Sequence, residues 1–388
     1  MTSPARPCPV AVVGAGVKTP AGNSIGELWE NLCAGRPSAE VFKDGRLPPG
    51  TAALVCRVTG FDPAAYLTPM EVQRLDRSHA LAIGAASTYE EQTSRLLEQG
   101  VRGVSRVTIP MVMPSSVAAL LSLRFGFGGP CVTVSAACAS GAAAIGEGIE
   151  LLRRRAADVV LAGGVDSLVG YGAMCCFMRL DAMSRNVSYP ELASRPFDAD
   201  RDGFVMGEGA GFVVLRRLED VSTSGPEPLG LVLGHASSAD AYHLVAPSPG
   251  GEGAIRCMAL ALADAGVQAR DVAHVNAHGT STVLNDRAEA AALTTLFGGS
   301  CPPVTAPKGS TGHLIGGSGA VEAIVSLISL RHRLVPPVAG LRTMDPDFDL
   351  DVVRDAPRQA LPGYGLSNSF GFGGANTALV LAAWGLAD

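Results

Sequence analysis

The chain has 388 residues, of which 47% are hydrophobic and 17% are charged, so it can bury a large core and is not a disordered protein. Its 30 basic and 36 acidic residues give a formal net charge of −6, which argues against a nucleic-acid binder that relies on overall positive charge. High glycine and proline contents, with only 5% aromatic residues, indicate a turn-rich α/β protein whose backbone segments approach closely.

Targeting and redox features predict a cytoplasmic protein. Residues 1–9 lack the apolar core of a signal peptide, and no uninterrupted apolar run reaches the roughly 18 residues of a membrane span. The nine cysteines include no C-x-x-C pair, so neither a zinc ribbon nor a thioredoxin-like site is expected.

In chain order, the first half alternates predicted strands and helices. One apolar run ends in V-S-A-A-C and leads directly into a helix of small residues. The predicted strands are Val10–Val13, Cys131–Ser135, Val159–Ala162 and Gly211–Leu215, and the predicted helices are Ile25–Leu32 and Gly141–Leu152.

The second half shows this alternation more clearly, in the order βαβαβαββ that is typical of a mostly parallel sheet covered by helices. The predicted strands are Leu229–Leu233, Val272–Asn276, Pro303–Ala306, Tyr364–Asn368 and Thr377–Leu381, and the predicted helices are Gly253–Ala265, Ala288–Phe297 and Val321–Arg331.

Because both halves follow one order, we predict a duplicated fold with a central cleft between two packed halves. Serine, glycine and proline cluster at Ser222–Pro228, so the boundary is predicted there. Residues 1–224 would form the first half and residues 225–388 the second.

Two motifs are better explained by local structure than by ligand binding. Val10–Gly16 resembles a dinucleotide-binding fingerprint but has Thr19 in place of the third glycine, so a tight turn after a strand is favoured. His274 and His278 are four residues apart, but their flanks predict a strand and its turn, so a zinc pair is not expected.

Cys138 has the surroundings of a nucleophile. It lies between an apolar extended run and a helix of small residues, where free backbone N–H groups favour a thiolate and small neighbours admit a substrate carbonyl. The alternative is a buried small hydrophobic residue, the commonest role of a free cysteine.

Two histidines of the second half, His278 and His313, follow predicted strands, where side chains project into a cleft. Either could be structural alone, but a pair opposite a candidate nucleophile favours catalysis. Lys308 precedes His313 by five residues and Glu322 lies on the following helix. This lysine and glutamate form either a structural ion pair or a pair that orients the histidines.

The segment Ser367–Thr377 reads S-N-S-F-G-F-G-G-A-N-T. A loop so dense in glycine can direct backbone N–H groups towards an oxyanion. A simple turn between two strands is the alternative.

Taken together, five motifs in this order resemble the β-ketoacyl synthase family, the condensing enzymes of fatty-acid and polyketide synthesis. They are A-C-A-S-G, S-R-P-F-D-A-D-R-D-G-F-V-M-G-E-G-A-G, N-A-H-G-T-S-T, K-G-S-T-G-H and N-S-F-G-F-G-G-A-N. The resemblance extends from Val10 to Leu381 and implies the thiolase fold, two βαβαβαββ halves in α-β-α-β-α layers. It also implies a homodimer, with a heterodimer of related subunits as the alternative.

The resemblance implies a role for each candidate catalytic residue. Cys138 would take an acyl chain from an acyl carrier protein as a thioester, and His278 and His313 would assist decarboxylation of a malonyl thioester and stabilise its enolate. Lys308 would tune the site electrostatically, and the backbone N–H groups of Cys138 and Phe372 would form the oxyanion hole.

Substrate contacts are implied in the same way. Thr280 and Thr282 match positions that hydrogen-bond the phosphopantetheine arm of the carrier. Phe177 and Phe370 match positions at the acyl pocket, and Phe372 also resembles a gate to it. A packing role is the alternative for each aromatic residue. No metal or redox cofactor is implied, because the pantetheine arrives with the carrier.

The Cys-His-His set resembles elongating condensing enzymes rather than thiolases or Cys-His-Asn initiating synthases. Two alternatives stay open: a non-elongating partner subunit that shapes a chain, and an acyltransferase that uses the same cysteine. Retention of Cys138 and of both histidines argues against them.

The sequence departs from the family between Asp76 and Glu90, where we judge it roughly 25 residues too short, a loss that could span ~80 Å of extended chain. We expect that a helix is lost and that His79–Ala86 replaces the missing strand. The alternative is that the helix start is kept and the sheet has one strand fewer.

A basic patch is needed to dock an acidic carrier protein on a chain of net negative charge. Four arginines are candidates by position, and Asp181 stands where the family commonly has a basic residue. The candidates are Arg74, Arg77, Arg106 and Arg179.

Overall fold

A computed structural model of the chain describes residues 8–47, 51–66, 95–106, 108–222 and 224–386. The strands of the first half are β1 (Val10–Lys18), β2 (Glu40–Phe42), β3 (Ala53–Cys56), β4 (Val160–Ser167) and β5 (Met206–Arg217). Its helices are α1 (Ile25–Cys33), α2 (Thr108–Val112), α3 (Ser116–Phe125), α4 (Ser140–Arg153) and α5 (Tyr171–Arg179).

In the second half, every strand and helix that the sequence predicts is present, and β7 has its predicted bounds. The strands are β6 (Gly230–Ala239), β7 (Val272–Asn276), β8 (Val304–Thr305), β9 (Leu334–Val335), β10 (Arg358–Gln359), β11 (Tyr364–Gly371) and β12 (Ala375–Ala383). The helices are α6 (Glu252–Ala265), α7 (Val283–Phe297), α8 (Lys308–Thr311) and α9 (Ser318–His332).

The sheet shows the predicted duplication, but the prediction of a mostly parallel sheet was wrong: among the described strands of the main sheet, six pairings are antiparallel and three are parallel. Its strand order is β2-β3-β5-β1-β6-β12-β11-β7-β8, with β4 also paired to β5. β5 is antiparallel to β4 and β1, just as β12 is antiparallel to β11 and β6. The group β4-β5-β1 therefore repeats the group β11-β12-β6, and a short β1–β6 pairing joins the halves. The residue at which the chain divides stays a prediction.

Two helices lie between the strands of the two halves. Both α4 and α9 pack against β4 and β5 of the first half and against β6 and β12 of the second. Ser318 to Leu330 of α9 are all buried, as a helix covered on all sides must be. α6 packs on β6 and β12, and α7 lies beside α6. Helices and strands therefore alternate in layers, as the sequence predicts.

The glycine-rich start of the chain is not a tight turn, so this prediction was wrong. β1 continues through Gly14 and Gly16 to Lys18 and pairs with β5, with one register shift between Val12 and Gly14. Pairing with a long neighbouring strand outweighs the local preference of glycine for turns.

Cys131–Ser135 is not a strand, so this prediction was also wrong. Its residues are irregular, and Val132 is 61% exposed. Within the described part of the chain, β4 pairs with β5 alone, and β4 and Cys131–Ser135 line the same cavity of about 720 Å³. A strand forms only where a neighbour satisfies its backbone groups, and here no described strand lies between the two.

The predicted compression between Asp76 and Glu90 falls outside the described residues. The replacement strand at His79–Ala86 therefore stays a prediction. Across the described ranges, none of the helices combines the length and apolar character that crossing a bilayer requires.

Gly164 of β4 contacts the second half so closely that no side chain fits. A Cβ there would lie 2.2 Å from the carbonyl oxygen of Gly316. We predict that Gly164→Ala lowers the free energy of unfolding by about 1–3 kcal/mol, because the backbone must shift to relieve the overlap. Urea denaturation measures this change.

Gly16→Ala is the matched control, because Gly16 is also a strand glycine and a Cβ there would meet nothing within 4 Å. Its effect should stay within about 0.5 kcal/mol. Equal losses in the two variants would contradict the close-contact explanation.

Candidate active site

Cys138 lies in a single turn, Ala137–Ala139, directly before α4. The hydroxyl of Ser140 accepts the N–H of Ala136 at 2.9 Å and donates to the carbonyl of Ala137 at 2.7 Å. Ala137 has a φ of 48°, in the left-handed region. These bonds hold the turn, and with it Cys138, at the N-terminal end of α4. The Cys138 side chain is 6% exposed.

The glycine-dense loop after β11 packs on the Cys138 turn. A Cβ on Gly371 would lie 2.7 Å from the Ala136 carbonyl oxygen and 3.1 Å from the Cys138 nitrogen. The backbone N–H groups of Phe372 and of Cys138 itself both lower the pKa of the Cys138 thiol. The structure thus brings together the two N–H groups that the sequence assigns to an oxyanion hole.

Burial raises the pKa of the Cys138 thiol to about 11, although the charge of Lys308 and the N–H of Phe372 oppose that rise. The carboxylate of Asp166 raises the same pKa further. The thiol is therefore protonated at neutral pH and needs a substrate or a partner group to become a nucleophile.

His278 follows β7 and is held from two sides. The carboxylate of Glu289 accepts the backbone N–H groups of His278 and Gly279, each at 2.8 Å. Lys308 donates to the His278 carbonyl at 2.6 Å and lies 3.3 Å from Nδ1 of its ring. Because an ammonium group only donates, Nδ1 accepts and the ring proton lies on Nε2.

Lys308 and Glu322 form the ion pair that the sequence proposes. Their side chains are 1% and 3% exposed, and Nζ of the lysine contacts Oε1 of the glutamate. Burial raises the pKa of Glu322 to about 7, against the effect of the Lys308 charge. Since Lys308 contacts His278 directly, the pair also orients a histidine, so both proposed roles apply.

His313 lies in the turn before α9, and Ser318 orients its ring. The Ser318 hydroxyl hydrogen-bonds Nδ1 of His313 at 3.1 Å and accepts the Leu314 N–H at 3.0 Å. The backbone of His313 bonds Val205 and Gly207 of the first half at 2.8 and 2.9 Å. The turn is part of the second half, but hydrogen bonds to the first half hold it in place.

The two imidazoles meet edge to face, with ring centroids 5.5 Å apart. Burial lowers the pKa of both His278 and His313 well below the usual value, and the nearby Lys308 charge lowers them further. Both rings are therefore neutral hydrogen-bond donors at pH 7.

Contacts through an apolar cluster bring the thiol to this pair. Cys138, Phe204 and Ile315 belong to one buried apolar cluster, and Phe177 packs against this cluster. The Phe204 ring lies 5.4 Å from His313 and 5.8 Å from Phe177. The nucleophile of the first half and the imidazoles of the second half thus share one site.

The remaining predicted residues surround this site. The hydroxyls of Thr280 and Thr282 are 2.9 Å apart, and Thr282 also caps α7 by accepting the N–H of Asn285. Phe370 lies 5.7 Å from the His278 ring. The positions are adjacent to the histidines, and their contacts with substrate stay a prediction.

Sequence reasoning missed three residues, Glu289, Ser318 and Asp166. Glu289 falls on the face of α7 that meets His278, and Ser318 follows His313 by five residues, but neither spacing signals a role by itself. Asp166 ends β4 and acts across the two halves. Among the described residues, no group of three or more His, Cys, Asp or Glu side chains is placed to hold a metal ion.

Family models agree with the five motifs. The N-terminal domain of beta-ketoacyl synthase matches residues 8–87 and 64–221, and the C-terminal domain matches residues 229–342. The two N-terminal matches overlap at residues 64–87, in the region where the sequence predicts a compression.

A curated relative covers almost the whole chain. A 3-oxoacyl-[acyl-carrier-protein] synthase 2 of Staphylococcus aureus is 34% identical over 403 aligned positions, which cover 96% of this chain and 97% of the relative. Because the alignment is longer than the chain, the relative has residues for which this chain has no counterpart.

Solved ketosynthases have the same fold. A chain described as the ishigamide ketosynthase/chain length factor superposes with a TM-score of 0.90 at 29% identity, covering 98% of this chain and 100% of that one. A chain of a type II PKS acyl-carrier protein in complex with its ketosynthase bound to the hexaketide gives 0.87 at 26% identity, covering 97% and 100%. The thiolase fold inferred from the motifs is therefore confirmed.

The charge of Lys308 lowers the pKa of the Cys138 thiol, so removing it should slow thiol alkylation. We predict that Lys308→Met reduces the rate of Cys138 alkylation by iodoacetamide at pH 8.5 by about tenfold, since one pKa unit is one decade in thiolate. Mass spectrometry of the Cys138 peptide measures the rate. In the unmodified chain the rate should still rise between pH 9 and 10.

Lys43→Met is the matched control, because Lys43 is exposed and adjoins Phe42 of the cluster around Cys138. Its alkylation rate should equal that of the unmodified chain. An unchanged or faster rate in a folded Lys308→Met variant would show that the lysine does not act on the sulfur.

Proposed function

Because the chain belongs to the β-ketoacyl synthase family, we propose that it condenses an acyl thioester with malonyl-acyl carrier protein in fatty-acid or polyketide synthesis. The observation that carries this proposal is the pair of neutral imidazoles, 5.5 Å apart, beside the apolar cluster that holds the buried thiol. Such a pair can bind an enolate oxygen without supplying a strong acid that would quench the carbanion.

In the first step, the Cys138 sulfur attacks the carbonyl carbon of the acyl-carrier thioester. The backbone N–H groups of Cys138 and Phe372 stabilise the oxyanion, the carrier sulfur departs, and the thiol proton ends on it. Deprotonating the Cys138 thiol costs free energy because burial raises its pKa to about 11. The Lys308 charge and the two N–H groups reduce that cost.

In the second step, the malonyl group on a second carrier loses carbon dioxide and becomes an enolate. Nε2–H of His278 and of His313 would donate to the thioester oxygen that gains this charge. The enolate carbon attacks the acyl-enzyme carbonyl, the Cys138–acyl bond breaks, and the released thiolate takes up from the solvent the one proton that the overall reaction consumes. The products are β-ketoacyl-carrier, carbon dioxide and free enzyme.

The carrier supplies the long arm that this reaction needs. Thr280 and Thr282 lie two and four residues after His278, and their hydroxyls would bind the amides of a phosphopantetheine arm. The proposed steps use no metal or redox cofactor, because imidazole and backbone N–H groups would bind the developing charges, no group changes oxidation state, and the pantetheine arrives with the substrate. A cytoplasmic location agrees with that substrate.

The acyl chain would occupy the apolar cluster around the thiol. Phe177, Met174 and Phe204 pack there beside Cys138, so a hydrocarbon chain would meet few polar groups. Phe370 lies 5.7 Å from the His278 ring, and the backbone N–H of Phe372 acts on the Cys138 thiol.

Partners follow from the relatives. One solved neighbour is a ketosynthase complex with its acyl carrier protein, and another is described as a ketosynthase/chain length factor. We propose that this chain also acts on acyl carrier protein and assembles as a homodimer, with a related subunit as the alternative partner. A purely structural subunit is disfavoured because Cys138, His278 and His313 are all present.

Mass spectrometry of the protein with acyl-carrier and malonyl-carrier thioesters tests the reaction. Cys138→Ala should form no acyl-enzyme and no product. His313→Ala should still acquire the acyl group but condense at least 100-fold more slowly, because it loses an enolate donor.

A matched comparison is Cys257→Ala, which removes another buried thiol and should leave acylation and product formation unchanged. Normal elongation by Cys138→Ala would overturn the proposal. An acyl-enzyme that transfers its acyl group to an amine or alcohol, without condensation, would instead support the acyltransferase.

Docking of the acidic carrier can be tested at Arg179, an exposed residue that ends α5 two positions after Phe177. Asp181, where a basic residue is common, forms an ion pair with Arg185 in the same region. Arg74 and Arg77 lie outside the described residues, and Arg106 is exposed.

We predict that Arg179→Glu raises the KM for acyl-carrier substrate several-fold at low salt and leaves acylation by a small acyl thioester unchanged, because it repels only the carrier. Arg270→Glu is the control: Arg270 is exposed and precedes β7, at the end opposite His278. An equal KM change in the two variants would argue against docking at α5.

A further inference from the structure

Asp166 joins the strand β4 of the first half to the His313 turn of the second half. Its Oδ2 accepts the backbone N–H of Gly316 at 3.3 Å, and its Oδ1 accepts the N–H of Ser167 at 3.0 Å. Gly316 follows His313 by three residues. The carboxylate therefore fastens the turn that carries one of the two imidazoles.

The contact is made where the turn has little freedom to move. A Cβ on Gly164 would lie 2.2 Å from the Gly316 oxygen, and one on Gly317 would lie 2.8 Å from the Gly209 oxygen. Ile315 is held at a φ of 48°. A turn packed this tightly and strained at one residue requires a fixed anchor, and Asp166 supplies it from the first half.

The same carboxylate is close enough to the nucleophile to act on it. Asp166, Ala137 and Ser140 line one cavity, so the carboxylate and the Cys138 turn share a wall. Burial raises the pKa of Asp166 to about 6, so the group is ionised at pH 7 to 8. Its negative charge raises the pKa of the Cys138 thiol.

We propose that Asp166 is a positioning residue with two separable effects: its hydrogen bond to Gly316 holds His313 in place for condensation, and its negative charge, on the cavity wall shared with the Cys138 turn, slows reaction of the resting thiol. The first effect rests on the proposed function, whereas the second does not. The carboxylate thus supports the second step of the reaction and restrains the nucleophile in the resting site.

Two substitutions separate these effects. Asp166→Asn removes the charge but keeps an oxygen that can accept the Gly316 N–H, and Asp166→Ala removes both. Glu147→Gln is the control, because Glu147 lies on α4 and lines the same cavity. The readouts are iodoacetamide alkylation of Cys138 at pH 8, acylation by a small acyl thioester, and kcat and KM for malonyl-carrier.

Both Asp166 variants should alkylate several-fold faster than the unmodified chain, and Glu147→Gln should not. Condensation kcat should fall at least tenfold in Asp166→Ala and less than threefold in Asp166→Asn, with the KM unchanged, since a small displacement of His313 costs rate rather than binding. Acylation should not be slower in either variant.

Unchanged alkylation in both variants would overturn the charge effect. Equal losses of kcat in Asn and Ala, or no loss in Ala, would overturn the positioning effect. Should Asp166→Ala melt far below the unmodified chain, the Asn variant still decides the charge effect, and Asp166→Leu, which also lacks the acceptor but fills the space, replaces Ala in the kcat comparison. Absence of condensation by the unmodified chain would contradict the proposed function, while the alkylation rates would still test the charge.

Discussion

The carbonyl oxygen of Gly316 lies against Gly164 of β4 and Gly141 of α4, where an added Cβ would come within 2.2 Å and 2.8 Å of it. This contact joins the half that carries Cys138 to the half that carries His313. Cys138 precedes α4 by two residues and His313 precedes Gly316 by three, so their separation depends on how closely the two backbones approach. Only glycine permits that approach.

The site also contains two buried charged side chains that contact each other beside the reacting groups. Lys308 and Glu322 are both buried, which is costly unless the charges are paired and hydrogen-bonded. The lysine meets this requirement by contacting Glu322 and His278 together. Its charge and the burial keep the imidazoles neutral, and the ring donors keep their protons for an oxygen that becomes negative during the reaction.

Most of the fold was predictable because its signals are local. The second half alternates apolar strands with longer helical segments, and each predicted element is present. The strand predicted at Cys131–Ser135 is absent for a non-local reason. Its sequence favours a strand, but no described strand lies beside it. The turn predicted after Val13 is wrong for the opposite reason, because pairing with β5 extends β1 through Gly14 and Gly16, where local preference indicates a turn.

The sequence by itself determined the chemical groups of the site: the cysteine before a small-residue helix, the two histidines after strands, and the glycine-dense loop that the family motifs join to them. Tertiary structure alone decided which groups orient these residues, because Glu289, Ser318 and Asp166 act across turns and between halves. A motif specifies which side chain follows a strand. Packing of two distant segments decides which carboxylate or hydroxyl lies within hydrogen-bonding distance of it.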